Sequence, residues 1–360
     1  HEKVRDEVSK IMNNIDSEDP LIMMPTVANV KDEVYPKAKA DVGKGRYFYV
    51  SDLAFNISMR MLLLPLLSYL LEHPFQSGIV GAINPGSLDW VKMYEHLLEY
   101  NDEGYDFDQN QYDLRQSILI YWYVMFMVYL AKKLGYSERD QRRVRRIVLV
   151  SMRYMLFMKG NVYVCSSGLL SGLPDTLIRN SVIGKIVTYY SFYVVLGLDT
   201  VLKPREWIRV TNTGDDNNTV PKKGLHLTGE DIVRCAKDLG LSMTAADKSM
   251  NLGAKKITDM IYLQRDFKGA LKKESIYKSL CYSTITSVPE EERNHGAMLC
   301  ALKEFFLHGE EDFESFRSIY LEKYPNDVVP TYEDYVFEYE VGFMQTWRGS
   351  PVTRCVADSM

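Results

Sequence analysis

The residues best suited to chemistry are carboxylates. Thr213-Gly-Asp-Asp-Asn217 sits between two β-branched runs, Ile208–Val210 and Thr219–Val220, the pattern of a hairpin whose tip presents Asp215 and Asp216. Adjacent carboxylates on a tight turn are hard oxygen ligands for divalent cations. A solvated Asx-rich turn has the same letters, so the tripeptide alone decides nothing. Well upstream, Tyr105-Asp-Phe-Asp108 ends a short strand, and Asp113 follows. A carboxylate at a strand end beside one at a hairpin tip is the arrangement two-metal phosphoryl transfer needs, with two Mg²⁺ ions roughly 4 Å apart. Between these sites lies Ser171-Gly-Leu-Pro-Asp-Thr-Leu-Ile-Arg-Asn-Ser181. Ser171-Gly172 can form a pliable loop, and Pro174 suits a first helical turn. Thr176 and Asn180 share a helical face and could read a ribose hydroxyl together with Asp113. An exposed polar face is the plainer reading of that spacing.

Two basic clusters stand out in a chain that is acidic overall, with 43 Lys and Arg against 48 Asp and Glu. Lys31, Lys37, Lys39, Lys44 and Arg46 outnumber Asp32, Glu33 and Asp41 in one extended stretch. Arg139, Arg142, Arg143, Arg145 and Arg146 crowd a helix, as a solvated face or as a contact for a nucleic-acid template. The histidines show no ligand spacing. The cysteines are scattered with no Cys-x-x-Cys pair, against a disulfide framework or a zinc site and in keeping with a reducing compartment.

These groups need elements to carry them. Residues 1–20 read as a short helix, Lys31 to Val50 as extended, and Ser51 to Leu71 as a helix with a Ser-Asp start. Gly78 to Pro85 is a connection and Trp90 to Tyr100 a helix. Gly104 to Asp108 is a strand, followed by an apolar helix through Leu134. Val144 to Met158 reads as helical, Gly172-Leu-Pro174 opens a further helix, and Trp207 to Val220 is the hairpin. Thr228-Gly-Glu-Asp231 is a capping box before a helix stopping at Gly240. From Glu274 onward the pattern is mostly helical. The mixture predicts an α+β fold with a small sheet among many helices, at a length that suggests two or three subdomains. The apolar runs Ile57 to Leu71 and Ile118 to Ala131 are expected to fall short of the about 18–20 residues a membrane span needs. The opening at His1, with no signal-peptide pattern, suggests a processed product or fragment.

Taken in order, these patterns resemble the RNA-dependent RNA polymerases of picornavirus-like positive-strand RNA viruses, from about Pro25 to about Tyr320. Asp108-x4-Asp113 is similar to the family's first palm motif, the Ser171–Ser181 segment to its second, and Gly214-Asp-Asp216 to its third. Leu241-Ser-Met-Thr-Ala-Ala-Asp-Lys-Ser249 resembles the fourth and Tyr262-Leu-Gln-Arg265 the fifth. The basic stretch from Lys31 resembles the fingers motif over the nucleotide entrance. Ser51-x-Leu53 and Met59-Arg-Met61 follow it in order, while Glu274-Ser-Ile276 and His308-Gly-Glu-Glu-Asp-Phe313 resemble thumb segments.

The resemblance implies a right hand: fingers at 1–100 and 126–160, palm at 101–125 and 161–270, thumb and tail at 271–360. It implies RNA-templated RNA synthesis from ribonucleoside triphosphates. Asp108 and Asp215 would bind two Mg²⁺ ions, replaceable by Mn²⁺, with Asp216 peripheral; Lys248 would be the general acid for departing pyrophosphate. Lys31, Lys39 and Arg46 would bind the triphosphate. Asp113, Thr176 and Asn180 would select ribose, Ser171 and Gly172 would flex during translocation, and Arg265 would help grip the primer end. Implied partners are an RNA template and primer, a genome-linked protein primer and other viral replication proteins, in host cytoplasm without direct membrane insertion.

Thr213 stands where the family commonly has Tyr, and Gln264 replaces a usual Lys. Only a short region precedes Lys31, where the family has an index finger, so a truncated polymerase is expected. Two other readings fit the motifs: a reverse transcriptase, which would carry a bulky aromatic near Asp113, and a non-catalytic RNA-binding remnant.

Overall fold

The protein is described by a computed structural model covering residues 2–17, 22–33, 37, 41–43, 45–116, 118–197, 200–282 and 287–340. Helix α1 (Glu2–Asp16) precedes strands β1 (Met24–Val30) and β2 (Tyr47–Ser51) and helix α2 (Leu53–Glu72). Helix α2 starts where the Ser-Asp signal places it, with the Phe55 N–H donating to Asp52 Oδ1 at 2.8 Å. At 20 residues it is long and apolar enough to cross a membrane, longer than the run expected from Ile57 to Leu71. Phe55, Met59, Leu62, Leu63 and Leu66 nevertheless lie in the main apolar core.

Helix α3 (Leu88–Leu98) leads to strand β3 (Glu103–Gln109), then to helices α4 (Leu119–Lys133) and α5 (Glu138–Val150). The helix expected over Val144 to Met158 ends at Val150. Its second half is strand β4 (Tyr154–Met158), which turns into β5 (Asn161–Cys165). Lys159 and Gly160 both have positive φ, 51° and 79°, as a two-residue hairpin loop that follows strand twist requires. An apolar run of this kind has no period that separates helix from strand. What decides it is a distant partner: β4 pairs in parallel with β1, Thr26 opposite Leu156. Likewise, the extended stretch expected at Lys31 to Val50 has its strands at the flanks, in β1 and β2.

Helix α6 (Thr176–Leu196), strands β6 (Ile208–Thr213) and β7 (Asp216–Pro221), helix α7 (Gly229–Asp238), and strands β8 (Met243–Ala245) and β9 (Lys255–Lys256) follow. Helix α7 opens on the expected capping box: Thr228 Oγ1 accepts from the Asp231 N–H, and Asp231 Oδ2 from the Thr228 N–H. The last part is helical: α8 (Lys273–Cys281), α9 (Glu290–Phe306), α10 (Glu310–Lys323) and α11 (Tyr332–Glu340).

The strands form two sheets, β2-β1-β4-β5 and β6-β7-β3-β8, with β9 on the same edge of β3 as β8. Alternation along β3 sends Phe107 into the main core with Ile178 and Ile232 from α6 and α7 and sends Asp106 and Asp108 to the opposite face. Behind Asp106, that face is covered by Trp90, Met93 and Leu97 of α3 with Met260 and Tyr262. Residues 276–335 build a separate apolar core from Ile276, Leu302, Phe305, Phe313 and Tyr320.

The arginine-rich helix has a use that neither sequence reading foresaw. Arg139 and Arg143 both donate to Asp16, at 2.6 and 2.7 Å, and Arg146 donates to the Ile15 carbonyl. The two guanidiniums hold the Asp16 carboxyl far below its ordinary range. The cluster fastens the C-terminal end of α1, where cations also meet the negative end of the helix dipole.

Candidate active site

Strands β6 and β7 form a hairpin with Thr213 opposite Asp216. The loop is Gly214-Asp215, with Gly214 at φ +65°. Glycine at the first position of a two-residue loop is the type II′ pattern. The tip is pinned from two sides. The Gly214 N–H donates to Ser181 Oγ at 2.9 Å, and Ser181 in turn donates to the Leu177 carbonyl of α6. From the other side, the buried Tyr262 hydroxyl donates to Thr213 Oγ1 at 2.7 Å. Tyr262 thus engages the position where the resembled family commonly has a tyrosine of its own.

Strand β3 lies beside β7 with Phe107 opposite Asn217, so Asp108 stands one step further, next to the hairpin tip. On its other side, Thr244 of β8 is its partner, and the chain beyond β8 returns Lys248, whose Nζ is 3.5 Å from Asp108 Oδ2. Asp108, Asp215, Asp216 and Lys248, expected to act together, are brought together.

The electrostatics follow from crowding like charges. Burial pushes Asp216 up to about 7; the charges of Asp215, Asp108 and Asp106 add to the effect and Lys248 opposes it. Asp215 is also raised, first by the protein packed around the hairpin tip; its own N–H opposes this, Asp108 adds, and Arg46 and Lys248 oppose. Such a set is poised to gain from a hard cation. Among the described residues no three Asp, Glu, His or Cys side chains form a ready-made cage. The hard carboxylate oxygens at the hairpin tip and strand end suit Mg²⁺, which takes one or two carboxylates and completes its shell with water and substrate phosphate. The donor chemistry therefore fits the metal.

The nucleotide-side residues approach from two strands and a helix. The Lys31 N–H donates to the Arg46 carbonyl at 2.8 Å, holding the two residues across the β1–β2 ends. Arg46, whose guanidinium is 3.5 Å from Glu33, lies near enough to the cleft that its charge lowers the pKa of both Asp113 and Asp215. Asp113 is nevertheless raised overall, because burial outweighs Arg46 and the Leu114 N–H. Lys39 and Lys44 lie outside the described residues; Lys37 pairs with Asp41 at 3.0 Å.

Ser171 Oγ accepts from the Tyr49 N–H of β2 at 3.2 Å. A Cβ on Gly172 would fall 2.0 Å from the Tyr49 carbonyl oxygen. Close approach to β2, rather than pliability, is what requires glycine in this loop. The Thr176 hydroxyl points back to the carbonyls of Leu170 and Leu173, at 2.8 and 2.9 Å, so it meets a ligand as an acceptor. Asn180 Oδ1 accepts from Gln116 Nε2, and the Asn180 carbonyl accepts from the Tyr112 hydroxyl. The start of α6 is fixed by a buried ion pair: Arg179 donates to Asp175 Oδ2 at 2.7 and 2.9 Å and to Ser151 Oγ, while Tyr123 also donates to Asp175.

Arg265 sits at the foot of a two-residue turn, Leu263-Gln264, in which both φ values are positive, 53° and 62°. Side chains rarely adopt that conformation, so the turn is strained. From the two ends of this turn, the Tyr262 hydroxyl reaches the hairpin and the Arg265 guanidinium reaches the C-terminal helices. The Arg265 guanidinium forks onto both carboxylate oxygens of Glu304 in α9, at 2.7 and 2.8 Å, and reaches the Gly269 carbonyl. This ties the sheet region to the helical C-terminal part rather than leaving the group directed into the cleft. A second tie runs from the Tyr282 hydroxyl to Asp32.

The sequence reading missed Asp106, Lys255, Gln116 and Tyr262's hydroxyl. Asp106 carried a signal, since strand alternation puts it on the face of Asp108. Lys255 and Gln116 carried none.

A small antiparallel sheet presenting aspartates from a strand end and a hairpin, backed by helices, is the arrangement expected of a polymerase palm. The fold is that of the right-hand polymerases: the structure matches the Sicinivirus 3Dpol RNA dependent RNA polymerase with a TM-score of 0.76, over 95% of this chain and 71% of that one, at 17% identity. The chain belongs to the viral RNA-dependent RNA polymerase family, whose model matches residues 2–324. It is 28% identical over 326 residues to the RNA1 polyprotein of Grapevine fanleaf virus, covering 86% of this chain and 14% of that protein. To the genome polyprotein of Human hepatitis A virus genotype IA (isolate LA) it is 27% identical over 301 residues, covering 79% and 13%. The chain thus spans a small fraction of these polyproteins' length. The family generally uses divalent metal ions.

Proposed function

We propose that the chain is the polymerase of a positive-strand RNA virus polyprotein, copying RNA from an RNA template for genome replication and transcription. The observation that carries this is the convergence of Asp108 with the Asp215–Asp216 hairpin, with Lys248 at 3.5 Å. Asp108 and Asp215 would hold two Mg²⁺ ions, or Mn²⁺ in their place, with Asp216 peripheral; bound there, the metals would supply Lewis acidity toward the primer 3′ hydroxyl and offset charge on the triphosphate. Lys248 gives a proton from Nζ to the departing pyrophosphate. Lys31, Lys39 and Arg46 bind the triphosphate, Arg46 as a fork and the lysines as point charges. The ribose 2′ hydroxyl donates its single proton to Asp113 or to the acceptor oxygen of Thr176, and its oxygen accepts from the Asn180 amide. A site with polar groups waiting for that hydroxyl leaves them unpaired when it is missing, which disfavours deoxyribonucleotides.

Fingers at 1–100 and 126–160, palm at 101–125 and 161–270, and thumb from 271 are the division we infer; the separate apolar core of residues 276–335 supports the last. Arg265 we assign to joining palm and thumb, since its guanidinium is occupied by Glu304. Template and primer RNA, ribonucleoside triphosphates, a protein-linked primer and other viral replication proteins are the partners, in host cytoplasm at replication complexes.

The test is primer extension on a homopolymeric RNA template with Mg²⁺. The chain should extend with ribonucleotides and strongly disfavour deoxyribonucleotides, and Asp215→Asn should abolish extension while leaving the circular dichroism spectrum unchanged. Equal use of both nucleotide types would point to a reverse transcriptase. RNA binding without any Mg²⁺-dependent extension would point to a non-catalytic remnant.

A further inference from the structure

Lys255 sits on β9, opposite Gly104 of β3, with its ammonium between two carboxylates. It donates to Asp106 Oδ1 at 2.8 Å and to Asp247 Oδ2 at 3.3 Å. Asp106 is buried, two residues before Asp108 and on the same face of the strand. Its other oxygen accepts from the Ile261 N–H at 3.1 Å. Asp247 is the residue immediately before Lys248, and its Oδ1 accepts from the Ser249 N–H at 2.8 Å. One ammonium therefore joins the strand that carries Asp108 to the loop that carries Lys248.

That loop needs a brace. Lys248 itself has φ +62°, a left-handed conformation that is strained for a non-glycine residue. Beyond it the chain runs as short side-chain-capped turns, the Asn251 N–H on Ser249 Oγ and the Gly253 N–H on Asn251 Oδ1. Sheet hydrogen bonds resume only at β9. The Lys248 N–H is held by the Ala245 carbonyl at 2.8 Å, but its side chain is largely exposed, with its Nζ 3.5 Å from Asp108.

We propose that Lys255 is a positioning residue: a strut from Asp106 to Asp247 that keeps the strained Lys248 loop over Asp108, so that Lys248 delivers its proton from a fixed place. This rests on the reading of Lys248 as general acid. Asp106 anchors the fixed end, buried against the sheet, and Asp247 is the end that moves with the loop.

Removing Lys255 alone would leave the buried Asp106 without a counter-charge, which risks the fold. The informative variant is therefore Asp106→Asn with Lys255→Met, and a second is Asp247→Asn, which cuts only the loop end of the strut. Single-turnover incorporation of one nucleotide is measured for each, alone and with Lys248→Ala. The double variant should slow incorporation about tenfold, as expected for a catalytic group displaced by a fraction of an ångström to an ångström. Apparent nucleotide affinity should change less than about twofold, since only the chemical step is touched. Asp247→Asn should act in the same direction and less strongly, and Lys255→Arg should recover most of the rate. In the Lys248→Ala background neither variant should slow the reaction further. Equal slowing with and without Lys248, or a wild-type rate for the double variant, overturns the strut. If Lys248→Ala by itself leaves the rate unchanged, it is the general-acid reading that fails, and the strut loses its purpose with it.

Discussion

Replacing Gly172 with alanine tests the joint between β2 and the loop that leads into α6. A Cβ there would lie 2.0 Å from the Tyr49 carbonyl oxygen and 3.2 Å from its carbon, whereas ordinary contact begins at 3.4 Å. Both are backbone atoms of a paired strand, Tyr49 being opposite Ala28 in β1, so no side-chain rotation relieves the clash. The loop must retreat, and in doing so it gives up the Tyr49 N–H to Ser171 Oγ bond. Overpacking of this kind costs about 1–3 kcal/mol, and the lost hydrogen bond adds about 1 kcal/mol. The urea midpoint should fall accordingly, and displacement of Ser171 and Thr176 should cost at least about tenfold in single-nucleotide incorporation. Gly296 supplies the control: it lies within α9, has ordinary φ, and has nothing within 4 Å of an added Cβ. Gly296→Ala should be neutral, or stabilising by about 0.5–1 kcal/mol. If Gly172→Ala matches Gly296→Ala in both stability and incorporation, the reading of a glycine required by contact is wrong.

The raised pKa of Asp216, about 7 against an ordinary 3.8, makes stability pH-dependent. A raised carboxyl favours the fold while protonated, so its contribution is complete below about pH 4 and is lost as pH climbs through 7. In metal-free buffer the wild type should lose stability between pH 5 and pH 8 relative to Asp216→Asn, and Mg²⁺ should restore more of it at pH 8 than at pH 5; parallel pH profiles for the two proteins would remove the effect. For the Arg265–Glu304 fork, urea unfolding of Arg265→Met, Glu304→Leu and the double variant should give a coupling of about 1–3 kcal/mol. Each single change should shorten the lifetime of a stalled primer–template complex under heparin challenge, and the pair together no further. An unchanged lifetime for Glu304→Leu would return Arg265 to direct contact with the primer.

Much of the candidate site was legible because its parts are local. Glycine at a positive φ between β-branched runs sets the Gly214-Asp215 hairpin, whatever packs around it. The capping box at Thr228 and the Ser-Asp start of α2 are satisfied within a few residues of themselves, so their letters suffice. Asp108 and Asp215 could be paired on paper through the order of the motifs, and the β3–β7 register places Asp108 one step beyond Phe107, beside the hairpin tip that carries Asp215.

Other features were settled by partners far along the chain. Tyr154–Met158 became a strand because β1 offers it a parallel edge, and the arginines of α5 found Asp16 and Ile15 on α1. Gly172, read as a hinge, is held against the backbone of β2. Arg265 turned from the cleft to Glu304, and Lys255 reached Asp106 across the edge of the sheet. By itself the sequence determined the Gly214-Asp215 turn, the caps and the carboxylates on offer at the hairpin, since backbone conformation and side-chain chemistry there depend on near neighbours. Only the tertiary structure decided which cations are occupied and what the glycine touches, because an ion pair or a steric contact is a property of two distant residues and neither one's neighbours along the chain encode the other's position.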